Sequence, residues 1–178
     1  MKKILKNYKS IFLFLISSLF ILLSPLQKEY LKLIFVLLFH EMGHIFFLSL
    51  YNVKIDSFNI SILGGFIDSK IDLSIYKELL IYLGGIIFNV ILLMFPLLYR
   101  YSLFIIIFNL LPIYPLDGYN IFKRVLAYFI NYHKAIYISY IISIVLGVIM
   151  IILSIIYLNA LILFNLIYCL ILSIIGYK

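Results

Sequence analysis

His40-Glu41-Met42-Gly43-His44 places two imidazoles and a carboxylate inside an otherwise apolar stretch. On a helix, residues i and i+4 lie one turn apart on the same face, so both rings can reach one metal ion. Glu41 directly follows the first histidine, where it can take a proton from a water held at that metal. The flanking residues 33–39 and 45–48 are Leu, Ile, Phe and Val throughout and suit a bilayer. A carboxylate near the bilayer centre costs about 2.5–3.5 kcal/mol on insertion scales, so its presence there points to function.

A second constellation is Asn109-Leu110-Leu111-Pro112-Ile113-Tyr114-Pro115-Leu116-Asp117-Gly118. Two prolines three residues apart cannot continue a helix, because each removes a donor and crowds the preceding turn. Freed carbonyls are tolerated at membrane depth only against protein or a wet cavity. Asp117 follows this break. Its carboxylate can complete a three-ligand His₂-Asp zinc site at His40, His44 and Asp117, leaving the fourth position for water.

The elements that must bring these residues together are membrane helices. Apolar residues make up 66% of the 178 and charged residues 12%, and the mean hydropathy is +1.23, outside the range of soluble domains. We expect an all-α polytopic membrane protein, a single domain over residues 1–178. Its six transmembrane helices fall at about 11–26, 31–51, 79–98, 101–116, 135–156 and 160–176. Residues 135–176 as one helix would span about twice the hydrocarbon thickness, so a fold-back is placed at Tyr157-Leu158-Asn159. Lys2, Lys3, Lys6 and Lys9 precede the first apolar run, but no small-x-small site follows it, which indicates an uncleaved span. With both termini cytoplasmic, eleven of the fourteen Lys and Arg fall inside and only Lys28, Lys32 and Arg100 outside. The net charge of +7 thus reflects topology in a cell membrane, and no nucleic-acid partner is expected. The heavy use of Ile, Leu, Phe, Tyr, Asn and Lys hints at an AT-rich bacterial genome. The single cysteine, Cys169, excludes an internal disulfide and reads as a packing residue. His133, in a basic loop with Lys123, Arg124 and Lys134, reads as a solvated interfacial residue.

Between spans two and three, Phe58 to Ile62 alternates apolar and polar residues, Gly64-Gly65 breaks the run, and Phe66-Ile67-Asp68 resumes. This predicts a short β-hairpin or re-entrant loop. Its edge could carry an extended substrate; a plain interfacial linker is the other reading.

These motifs closely resemble those of the site-2 protease family of intramembrane zinc metalloproteases. H-E-x-x-H matches at His40, Glu41 and His44, and N-x-x-P-x-x-P-L-D-G matches at Asn109, Pro112, Pro115, Leu116, Asp117 and Gly118. The resemblance implies Zn²⁺ as cofactor on His40, His44 and Asp117, with Glu41 as catalytic base. It also implies substrate contacts at Asn109, Pro112 and Pro115. Gly64-Gly65 looks like the family's glycine loop. Gly84-Gly85-Ile86-Ile87-Phe88-Asn89 is similar to its A-G-P-x-x-N segment, with glycine for alanine and Ile86 for proline, and would add Asn89 to the substrate contacts. The layout looks most like the sporulation-type branch, without that branch's nucleotide-sensing CBS domain and without a PDZ module.

The activity so implied is regulated intramembrane proteolysis of a membrane-tethered protein substrate within the lipid bilayer. It leaves room for an inhibitory membrane partner and for a homo-oligomer. Two other classes compete. A metal-ion transporter could use His40, Glu41 and His44 as a transit site, but there is no second cluster along a route and no evident inverted repeat. A catalytically inactive binder of single-span proteins has no reason to keep an intact glutamate and three ligands.

Overall fold

In lipid, a helix satisfies every interior N–H and C=O within itself, and the long apolar runs of this chain take that form. The computed structural model describes residues 27–53, 58–61, 64–67, 73–156, 166–167 and 169–171. Along them lie α1 (Gln27–Leu50), β1 (Phe58–Ser61), β2 (Gly64–Ile67), α2 (Ile75–Leu92), α3 (Tyr99–Asn109), α4 (Asp117–Phe129) and α5 (Tyr132–Ile156), and residues 166–167 and 169–171 are helical as well. Among the described residues three helical segments are long and apolar enough to cross a membrane: Lys28–Leu50, Ile75–Leu92 and Tyr132–Ile156. The expected span 11–26, the fold-back at residues 157–159 and most of the expected span 160–176 lie outside the described residues.

Local chemistry sets where each helix stops. The C-terminus of α1 closes in a Schellman motif. The Val53 N–H donates to Leu48 O at 3.0 Å and the Asn52 N–H donates to Ser49 O at 3.0 Å. Asn52 takes the left-handed conformation this motif requires, with φ at 53°. Val53 then packs on Leu48 and Ile81, joining the end of α1 to α2.

Two expected spans are shorter than anticipated. The span predicted over 79–98 runs instead from Ile75 to Leu92. Pro96 lacks a donor and disfavours helical geometry at Phe95, so residues 93–98 form turns before α3 begins. The span predicted over 101–116 is helical only as α3, because Pro112 and Pro115 keep residues 110–116 from continuing it. The Tyr114–Pro115 peptide is cis, and the Tyr114 N–H donates to Ser143 Oγ on α5 at 2.8 Å.

α4 was not anticipated as a helix. Residues expected in a basic loop, Lys123 and Arg124 among them, lie on its polar side. The Arg124 guanidinium grips Glu78 of α2 with two nitrogens: Nη2 donates to Oε1 at 3.0 Å and Nε lies 2.6 Å from Oε2. α4 is thereby tied to the start of α2. His133 is exposed at the start of α5, where its backbone N–H donates to Asn131 Oδ1 at 2.9 Å.

Among the described residues the core has three parts. Val36, Leu92 and Ile105 join α1, α2 and the middle of α3, and the Leu48–Val53–Ile81 group closes the other end of the α1–α2 pair. Ile113, Leu116, Leu166 and Cys169 form the third, which buries the proline-rich segment and holds Cys169 as a packing residue. β1 and β2 pair antiparallel with Phe58 opposite Ile67 and Ser61 opposite Gly64.

Candidate metal centre

α1 and α2 approach each other closely because glycines meet at their crossing. A Cβ on Gly43 would run into the carbonyl of Gly84, and a Cβ on Gly84 would lie 2.6 Å from Gly43 O. Small residues at a crossing let membrane helices pack backbone to backbone, since lipid offers no hydrophobic drive for association. Phe88 of α2 completes the contact against Phe39 and Phe46, with ring centroids 5.3 and 5.7 Å away.

Next to this crossing, His40 and His44 project from α1 toward α2 and are both buried. Gly85 lies directly beneath the rings. A Cβ there would be 2.5 Å from His40 Nε2 and 2.6 Å from His44 Nε2. The far nitrogens of the rings are engaged by α2: His44 Nδ1 donates to Ile81 O at 2.8 Å, and His40 Nδ1 lies 3.1 Å from the side-chain amide of Asn89.

Asp117 reaches the same point from the first turn of α4, where the positive end of the helix dipole favours a carboxylate. Its Oδ2 lies 3.0 Å from His40 Nε2 and 3.2 Å from His44 Nε2, and the two Nε2 atoms are 3.2 Å apart. This is a near-equilateral triangle of donors. Three ligand atoms at zinc distances and tetrahedral angles stand about 3.3 Å apart, so the residues fit the ion. The donor chemistry agrees: two imidazole nitrogens and one carboxylate oxygen, converging where they can share few protons, could hold a cation.

Gly118 explains how the carboxylate gets there. A Cβ at that position would run into the Leu110 carbonyl, so only glycine lets the start of α4 seat against the end of α3. Gly118→Ala is therefore expected to displace Asp117 and lower the rate of any metal-dependent reaction by about 10²-fold, the usual cost of a 1 Å misplacement. A rate within threefold of wild type, measured on zinc-saturated protein, would disprove this role.

Of the other anticipated site residues, Glu41 is half-buried beside the triad, near enough to interact electrostatically with His40, His44 and Asp117. Asn109 is buried as the last residue of α3, with its Nδ2 donating to Ile105 O at 3.1 Å. Pro115 is buried and Pro112 half-buried in the segment between α3 and α4, while Gly64 and Gly65 lie in β2. Asn89, expected among the substrate contacts, is fully buried against His40. The contributions of Ile81, Gly43 and Glu78 were not foreseen. A glycine at the centre of each of two neighbouring apolar helices was the signal available for the crossing.

No family model matches the chain, and no curated protein matches it by sequence. Among solved structures it is similar to the Site-2 Protease from Methanocaldococcus jannaschii, with a TM-score of 0.69 and 24% identity over 92% of this chain and 86% of that one. The two share a fold.

Proposed function

We propose that this chain is an intramembrane zinc metalloprotease, hydrolysing a peptide bond in or beside the transmembrane segment of a membrane-tethered protein. The observation that carries this reading is the convergence of His40 Nε2, His44 Nε2 and Asp117 Oδ2 at 3.0–3.2 Å, with Glu41 alongside, on a helix long enough to cross a bilayer. The fold shared with a Site-2 protease supports it. His44 lies six residues from the end of α1, roughly 9 Å along the axis, which suits chemistry beneath the lipid surface.

His40, His44 and Asp117 are the residues that would hold the zinc. When bound, zinc would supply an acidified water and Lewis-acid polarisation of the scissile carbonyl. Glu41 takes the proton from the attacking water as its oxygen bonds to the carbonyl carbon. It returns that proton to the amine nitrogen as the C–N bond breaks. A substrate helix shields its own amides and must first open, and β2 with Gly64 and Gly65 offers an edge on which the opened segment can extend. Asn109, at the end of α3, and Pro112 and Pro115, in the segment that leads to Asp117, would help to position that substrate. The charge bias supports a layout with both termini cytoplasmic, in what would be a bacterial membrane. In layout, the chain resembles the sporulation-type branch of the site-2 proteases.

The test is direct. Purified protein should carry one zinc per chain, and His40→Ala, His44→Ala and Asp117→Ala should lose it. A chelator should stop cleavage of a single-span reporter in liposomes, and added zinc should restore it. Stoichiometric zinc in Asp117→Ala would remove that residue from the ligand set. Zinc uptake by proteoliposomes without cleavage would mark a transporter instead.

A further inference from the structure

α2 meets the two candidate ligands with a repeating face. Ile81, Gly85 and Asn89 fall at every fourth position and so share one side of the helix. Ile81 accepts from His44 through its carbonyl, Gly85 leaves room for both rings, and Asn89 stands at His40 Nδ1. Asn89 is itself fixed in place: it is fully buried, and Ser102 Oγ of α3 donates to its backbone carbonyl at 2.6 Å.

The two outer partners are not chemically alike. A backbone carbonyl only accepts, so Ile81 holds His44 with a proton on Nδ1 and a lone pair on Nε2. An amide offers a donor at one end and an acceptor at the other. With the Asn89 nitrogen toward His40 Nδ1, the ring proton belongs on Nε2, where it can be donated to Asp117 Oδ2 at 3.0 Å. That tautomer has no Nε2 lone pair for a metal. The Asn89 oxygen is meanwhile buried without a hydrogen-bond partner, so no bond on that side resists a half-turn of the amide. The half-turn exchanges two atoms of nearly the same size and brings an acceptor to Nδ1–H.

We infer that Asn89 is a positioning residue for the metal centre, whose amide oxygen accepts from His40 Nδ1–H and so fixes the tautomer that presents the Nε2 lone pair. This rests on the metal reading above and gives Asn89 a task other than substrate contact. It accounts for an asparagine, with its reversible amide, at a position enclosed by apolar helices.

The experiment compares zinc affinity by chelator competition for wild type, Asn89→Leu and Asn89→Asp in detergent, together with imidazole ¹⁵N spectra of the zinc-loaded wild type. Asn89→Leu keeps the volume but offers no acceptor, and should bind zinc 10–100-fold more weakly, the usual cost of losing an outer partner of a ligating histidine. Asn89→Asp can only accept and should bind at least as tightly as wild type. The ¹⁵N spectra should show His40 Nδ1 protonated. Wild-type affinity in Asn89→Leu, or an Asn89→Asp variant that folds and is as weak as Asn89→Leu, would overturn the inference. An unprotonated His40 Nδ1 in zinc-loaded wild type would overturn it whether or not the aspartate variant folds. Wild type that binds no zinc would instead bring down the metal reading itself, and this inference with it.

Discussion

Replacing Glu41 by glutamine is expected to lower turnover of a membrane-tethered substrate by about 10²–10⁴-fold, the range that a positioned general base contributes. Zinc should remain at one per chain. Glutamine has the same shape and stands outside the His40–His44–Asp117 triangle, so the ligand set is untouched, but it cannot take up a proton. Cleavage and elemental analysis on the same preparation separate the two properties. Wild-type turnover in Glu41→Gln would show that another group accepts the proton.

The second large effect is expected from adding one methyl group. Gly85→Ala places a carbon 2.5 Å from His40 Nε2 and 2.6 Å from His44 Nε2, so the rings must move. They have little freedom to do so, because His44 is bound to Ile81 O and His40 abuts Asn89. Zinc affinity should fall by more than the roughly 100-fold upper range for losing an outer partner. Gly147→Ala is the control. Its new carbon would meet Leu170 Cδ1 at 3.5 Å, an ordinary contact, and neither metal content nor cleavage should change. Equal zinc affinity in Gly85→Ala and wild type would mean that the rings do not occupy the arrangement described.

The candidate ligands and the proposed base were legible because their chemistry is written into residue type and spacing. Two histidines one turn apart define a face on any helix, and a carboxylate after two prolines declares a break in the fourth apolar run. What supports those ligands was not legible, for three separate reasons. Ile81 acts through its backbone carbonyl, which every residue carries, so only the packing of α1 on α2 selects it. Asn89 was visible as a polar residue in an apolar run, but its partner depends on where the helices cross. α4 was overlooked because Lys123 and Arg124 lower the average hydropathy of a stretch whose apolar residues, Gly118, Ile121, Phe122, Val125, Leu126 and Phe129, keep a helical period. The helix ends were misjudged where prolines act, since hydropathy continues past Pro96 and Pro112 although helical geometry does not.

α3 has eleven residues and is about 16 Å long, roughly half of what a hydrocarbon layer demands. Where so short a helix faces lipid, the bilayer beside it would thin to match. Such thinning would bring headgroups and their hydration nearer the metal centre, and under the proposed function would shorten the path of the attacking water. Lipids of longer chain would resist that thinning, which makes bilayer thickness a dial on this chemistry.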